Sequence, residues 1–254
     1  MTTKTIATLV ATITFFSFII PKNGKDYTPP GTVKIFSHLY MDETEITNAS
    51  WLEYRTWNKN TFGASSTEYL SSAPDSTVWG NELDQHYFTH PAYHQYPVVG
   101  ITWHQANRFS QWRSERVMEY IHKLKLKNPK KQYPTKINYR LPTEQEWEEV
   151  AAVGYSEKTQ KKLTKKHADC NKSNFDSDNT ADSISTTAPV HQYWPNKYGT
   201  YNMFGNVAEM TIKEGIAKGG SWKELETEVT VLTESNYQKP TNWVGFRCIC
   251  EVVY

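Results

Sequence analysis

Apolar residues in this chain fall in short bursts separated by long polar stretches. The first burst runs from Ile6 to Ile20, follows Lys4, and is ended by Pro21-Lys22-Asn23-Gly24-Lys25. It is shorter than the ~20 residues that span a bilayer. It matches the charged and apolar regions of a secretory signal. No small-x-small cleavage site follows it, so an uncleaved N-terminal anchor is the alternative. Residues 1–24 are therefore read as a targeting segment, and residues 30–254 as one folded domain. Thr32 to Tyr40 reads as strand. Thr47 or Asn48 caps a helix whose apolar side holds Trp51, Leu52, Tyr54 and Trp57. Residues 62–95 read as a long irregular loop, which usually carries function. Tyr96 to Trp103 reads as a strand entered through Pro97. A helix follows to about Leu124, with Ala106, Phe109, Val117, Tyr120 and Ile121 on one stripe.

The second half is more broken. Thr143 and Glu146 spell a capping box, and the helix they open runs to about Val153, before Gly154. Cys170 to Thr187 is loop. Lys223 to Thr230 reads as an edge strand with charges that block aggregation. Strands separated by long loops, with two or three helices, imply an α+β fold.

Charge adds an exclusion. The 28 Lys+Arg balance 27 Asp+Glu, so the protein as a whole presents no field for nucleic acid or an acidic membrane. Residues Lys123 to Lys136 are basic and read as a solvated surface insert. Cys170, Cys248 and Cys250 allow one disulfide at most. Cys248 and Cys250 lie two apart on one strand face and are poor partners for each other. His86, His90 and His94 have the spacing of ligands on one helix face, but Pro91 argues against a helix there.

The stretch Tyr198 to Met210 carries the strongest chemistry. It combines Gly199, Gly205, Asn202, Asn206 and Glu209 among apolar and aromatic residues. Amide and carboxylate oxygens on a turning backbone suit a hard cation. They suit equally a buried turn in which Asn side chains satisfy the backbone.

Seven motifs, in order, resemble the formylglycine-generating-enzyme (sulfatase-modifying factor) family. They are Glu45-Ile46-Thr47-Asn48, Tyr96-Pro97-Val98-Val99, Arg140-Leu141-Pro142-Thr143-Glu144-Gln145-Glu146-Trp147, Pro195 to Met203, Gly205-Asn206-Val207-Ala208-Glu209, Gly219-Gly220-Ser221-Trp222 and Gly245-Phe246-Arg247-Cys248. The resemblance implies a C-type-lectin-like α+β fold, poor in regular structure, with bound calcium. It implies one ion held by Asn202, Gly205, Val207 and Glu209, and a second held by Asn174 and Asp182. The approach from Tyr87 to Tyr96 is also similar to the gliding-motility and type 9 secretion lipoproteins of Bacteroidetes.

The same resemblance speaks against the family's oxidation chemistry. The enzymes bind copper(I) with two cysteines after the Gly-Gly-Ser-aromatic motif, and Glu224 and Val229 stand at those positions here. The cysteine that faces the last one in the enzymes falls at Ala151, which leaves Cys248 without that partner. The expected function is an exported, calcium-stabilised, non-catalytic binding or assembly module of the bacterial envelope. Its partner would be an envelope protein or peptide seated beside Trp222 and residues 62–95. The alternatives are an oxidoreductase using a metal on His86, His90, His94 or Glu224, and a sugar-binding module.

Overall fold

The structure, a computed structural model, describes residues 27–80, 83, 86–156, 174–175 and 186–254. Its frame is an antiparallel sheet of four strands in the order β1-β2-β8-β3: β1 Thr32–Lys34, β2 Leu39–Asp42, β3 Lys136–Arg140 and β8 Ile249–Val253. Tyr40 pairs with Cys250, which pairs with Tyr139. Successive residues point to opposite faces. Tyr40, Tyr139 and Cys250 enter one core with Trp51, Phe109 and Ile121, while Met41 and Ile249 enter another with Trp147, Val150 and Met203.

The first core is closed by two helices, α1 (Asn48–Phe62) and α4 (Trp103–Lys127). Thr47 caps α1 by accepting from the Ser50 amide. Thr102 and Gln105 form a capping box that starts α4. Trp51 of α1 stacks on Phe109 of α4 at 5.4 Å. On the other face lies α5 (Glu144–Ala151), opened by the expected Thr143–Glu146 box. It ends at Ala151, two residues earlier than expected.

A second sheet has the order β6-β5-β4-β7: β4 Ala208–Met210, β5 Ile216–Lys218, β6 Glu234–Asn236 and β7 Val244–Gly245. Only the β4–β7 pair is parallel. This mixture of helix and short strands is the α+β class read from the sequence.

Four expectations are corrected. Thr32 to Tyr40 is not one strand: β1 ends at Lys34, and the chain turns at 35–38 to pair β2 antiparallel with it. Tyr96 to Trp103 is not a strand. Pro97 has no amide donor and makes only an isolated bridge to Thr47. Gly100 then leaves extended geometry at φ 67°. Lys223 to Thr230 is not an edge strand either. Its centre, Glu226–Glu228, is a 3-10 turn, and the edge of the sheet is β6. Residues 62–95 are not structureless. They hold two one-turn helices, α2 (Thr67–Leu70) and α3 (His86–Thr89), and 3-10 turns at Ser76–Trp79 and Pro91–Tyr93. Pro91 opens the second of these turns, which is why it ends α3.

Cys248 and Cys250 are buried and unpaired. Cys248 Sγ rests 3.3 Å from Ser110 Oγ, and burial pushes its thiol up. Cys170 lies outside the described residues. No described helix is long and apolar enough to cross a membrane.

Candidate functional site

The loop that starts at Asn202 leads into β4 of the second sheet, which carries Glu209. Asn202 and Asn206 both adopt left-handed backbone, at φ 49° and 63°, a region Asn tolerates better than most residues. Gly205 has φ 74°, and a Cβ there would meet the Asn174 carbonyl oxygen at 2.7 Å. The sequence thus folds the loop back on itself with the only side chains that permit it.

Asn206 is the knot of the network. Its Oδ1 accepts from the Ala188 amide at 2.7 Å and from Asn174 Nδ2 at 3.3 Å. Its Nδ2 donates to Glu45 Oε1 at 2.8 Å and to the Ala188 carbonyl at 3.2 Å. Asn202 Nδ2 donates to both Glu45 oxygens at 3.2 Å and to the Val190 carbonyl at 3.0 Å. Four segments far apart in sequence meet in this one buried cluster.

Glu209, on β4, faces a different set of partners. Arg247 holds its carboxylate with two parallel bonds, Nη2 to Oε1 at 2.5 Å and Nε to Oε2 at 2.6 Å, and Trp147 Nε1 adds a third at 2.7 Å. Arg247 also donates to the Tyr201 carbonyl at 2.7 Å and the Asp42 carbonyl at 3.2 Å. Burial pushes the Glu209 carboxyl up, and the Arg247 fork opposes that push. The bidentate geometry is that of an ion pair.

Charge in the interior is uneven. Arg113 answers Asp42 at 2.8 Å, Arg247 answers Glu209, and Lys218 answers Glu148 at 2.8 Å. Glu45, 1% exposed, is bonded by amides rather than by a cation. Its carboxyl is raised to about 7, by burial first and by the Glu209 charge second, against the pull of Arg247.

The residues expected to hold a hard cation are only partly committed. Asn202, Gly205 and Val207 lie on one buried loop, and Glu209 on the strand β4 that it leads into. Asn202 Oδ1 is buried without a hydrogen-bond partner, and so is Asn174 Oδ1. Oε2 of Glu209 is taken by two donors, Oε1 by one. Arg247 and Trp147 thus occupy both Glu209 oxygens, and the unpartnered atoms, Asn202 Oδ1 and Asn174 Oδ1, are of the oxygen type that calcium takes. Asp182 lies outside the described residues.

The positions expected to carry thiols in an oxidase have packing duties. Glu224 Oε2 accepts from the Ser221 amide at 2.8 Å and from Ser221 Oγ, closing the turn after β5. Val229 sits against Gly220, where an added Cβ would lie 2.5 Å from Val229 Cγ2. Trp222 stacks on Trp79 at 6.1 Å and 14°, so this turn meets residues 62–95 as expected. His86 and His90 have ring centroids 6.3 Å apart, and His90 Nδ1 accepts from the Ala92 amide. Among the described residues no three His, Cys, Asp or Glu side chains are grouped as a metal site. The structure does not bring the histidines and Glu224 together as such a centre.

Glu45, Asn206 and Arg247 carry the network, yet the sequence pointed only to Asn206, as part of the oxygen-rich stretch and without a ligand role. Each stood inside a quoted motif. The available signal was a charged or amide residue flanked by apolar ones in a segment that had to be buried.

Comparison with known proteins agrees with this geometry. The sulfatase-modifying factor enzyme 1-like domain matches residues 11–252. Mouse formylglycine-generating enzyme is 30% identical over 209 residues, covering 75% of this chain and 53% of that protein. The inactive C-alpha-formylglycine-generating enzyme 2 of Bos taurus is 24% identical over 174 residues, covering 61% and 50%. The chain thus spans about half the length of these two relatives. The crystal structure of CarF has the same fold, with a TM-score of 0.54 at 18% identity over 88% of this chain and 96% of that one. Fold, motif order and family match converge, and the chain belongs to the sulfatase-modifying factor enzyme 1-like domain family.

Proposed function

We propose that this chain is a non-catalytic member of its family, an exported binding or assembly module of the bacterial envelope. The observation that carries this reading is the structural employment of Glu224 and Val229. One closes a turn through Ser221 and the other packs on Gly220, so neither position offers a soft ligand for copper(I). A relative named as inactive lends support.

Calcium would tie down the loops. Asn202 Oδ1, the Gly205 and Val207 carbonyls and Glu209 would hold one ion, and Asn174 with Asp182 a second. The ion supplies positive charge beside Glu45, which lacks a cation of its own. The partner is an extended peptide segment of another envelope protein, seated where Trp222 and Trp79 stack. The exposed Glu226 and Glu228 nearby favour cationic side chains in it.

The test is an incubation of the purified protein with copper(I) and a cysteine-containing sulfatase peptide. No aldehyde is expected, and its formation would overturn the non-catalytic reading.

A further inference from the structure

We propose that one pole of the molecule, where α4 overhangs the first sheet, is a docking face for an anionic lipid bilayer. The proposal stands on surface features outside the Asn202–Glu209 network and apart from the peptide partner.

The geometry defines the pole. Tyr139 N donates to Ser114 Oγ at 2.8 Å, which fixes α4 against β3. From Ser114, α4 runs on to Lys127 for about 20 Å. From Tyr139, β3 runs back to Lys136 for only about 10 Å. The last two turns or so of α4 therefore project past the sheet. Thr135 N donates to the Val253 carbonyl at 2.7 Å, so the loop after α4 returns to the same pole.

This projection is cationic. Lys123, Lys125, Lys127, Lys130 and Lys131 are exposed, and no Asp or Glu occurs between Tyr120 and Thr143. On the sheet, the Glu251 carboxylate is held by Arg140 at 2.7 Å. The whole chain is close to neutral, so the charge is segregated here.

A purely solvated patch has no use for apolar groups, yet they share the pole. Leu126 is 70% exposed, Tyr120 52%, Val253 49% and Phe36 42%. Cations over lipid phosphate, with apolar and aromatic groups at the acyl boundary, are the two attractions that an interfacial protein uses. The chain also enters here. Tyr27 N donates to Tyr254 Oη at 2.7 Å, and burial among the phenols of Tyr120 and Tyr254 raises the Tyr27 hydroxyl to about 12.

The test is flotation of the full chain with vesicles of phosphatidylcholine alone or mixed with phosphatidylglycerol. Binding should favour the anionic vesicles and weaken as salt rises. The variant K125Q/K127Q/K130Q should lose roughly a hundredfold in partition, at about fivefold per lysine. Leu126→Ser should weaken vesicle binding further at unchanged charge. All four substitutions are at exposed positions, and an unchanged melting temperature confirms folding. Equal, salt-insensitive binding to both vesicle types would assign binding to the N-terminal segment and overturn the proposal. Stronger binding to double-stranded DNA or heparin than to anionic vesicles, insensitive to Leu126→Ser, would overturn it too.

Discussion

Arg247 and Glu209 form a fully buried, bidentate ion pair, with side-chain exposures of 0% and 1%. The pair locks β4 to the segment that leads into β8, and so joins the two sheets. Its remaining donors reach the carbonyls of Asp42 and Tyr201, so the guanidinium is a hub as well as a partner.

Glu209→Gln leaves that buried guanidinium without its bidentate partner, with only the more distant Glu45 and Asp42 charges to answer it. Breaking a buried pair from one side costs about 3–5 kcal/mol. Urea unfolding should show a loss of that size. A loss below about 1 kcal/mol, the scale of a surface pair, would mean that the pair is not buried in solution.

Glu45 makes stability depend on pH. Its folded carboxyl is raised from 4.5 to about 7, so the folded state takes up a proton more readily than the unfolded one. The associated stability is fully present below pH 4.5 and is lost as pH rises through about 7. Glu45→Gln should flatten this dependence. Melting curves at a series of pH values measure it, and parallel curves for the two proteins would refute it.

Calcium should raise the melting temperature by roughly 5–10 °C at a hundredfold excess over its dissociation constant. Asn202→Ala should remove most of the increment, because it deletes the unpartnered Oδ1. Scanning calorimetry with calcium and with chelator gives the comparison. An equal increment in the variant would remove Asn202 from the ligand set.

Gly205→Ala forces a Cβ to within 2.7 Å of the Asn174 carbonyl oxygen at a positive φ. A cost of about 1–3 kcal/mol is expected from the backbone alone. Gly154→Ala, also at positive φ (61°) but with open space around it, serves as the control. It separates the clash from the dihedral, and equal losses would deny the clash.

Helix starts were legible because capping is local. Thr143 and Glu146 announce α5 within four residues, and Thr47 announces α1. The strand read at Tyr96 to Trp103 failed because β-propensity says nothing about partners. Val98 donates to the Ile46 carbonyl and Gly100 to that of Thr241, so neighbouring residues bond to different segments. The site was half legible for the same reason. Asn202 and Glu209 stand in a conspicuous stretch, whereas Glu45 looks like an ordinary polar residue before a helix. Its burial is decided by amides that lie far along the chain.

Asn206 and Glu45 are separated by 161 residues along the polypeptide. Their bond closes a very long loop, and such closures slow folding. The knot must therefore tie late, after the chain carrying Asn206 has emerged. β8, the inner strand between β2 and β3, comes later still in the chain. A chain lacking residues 249–253 would leave β2 and β3 with no strand between them.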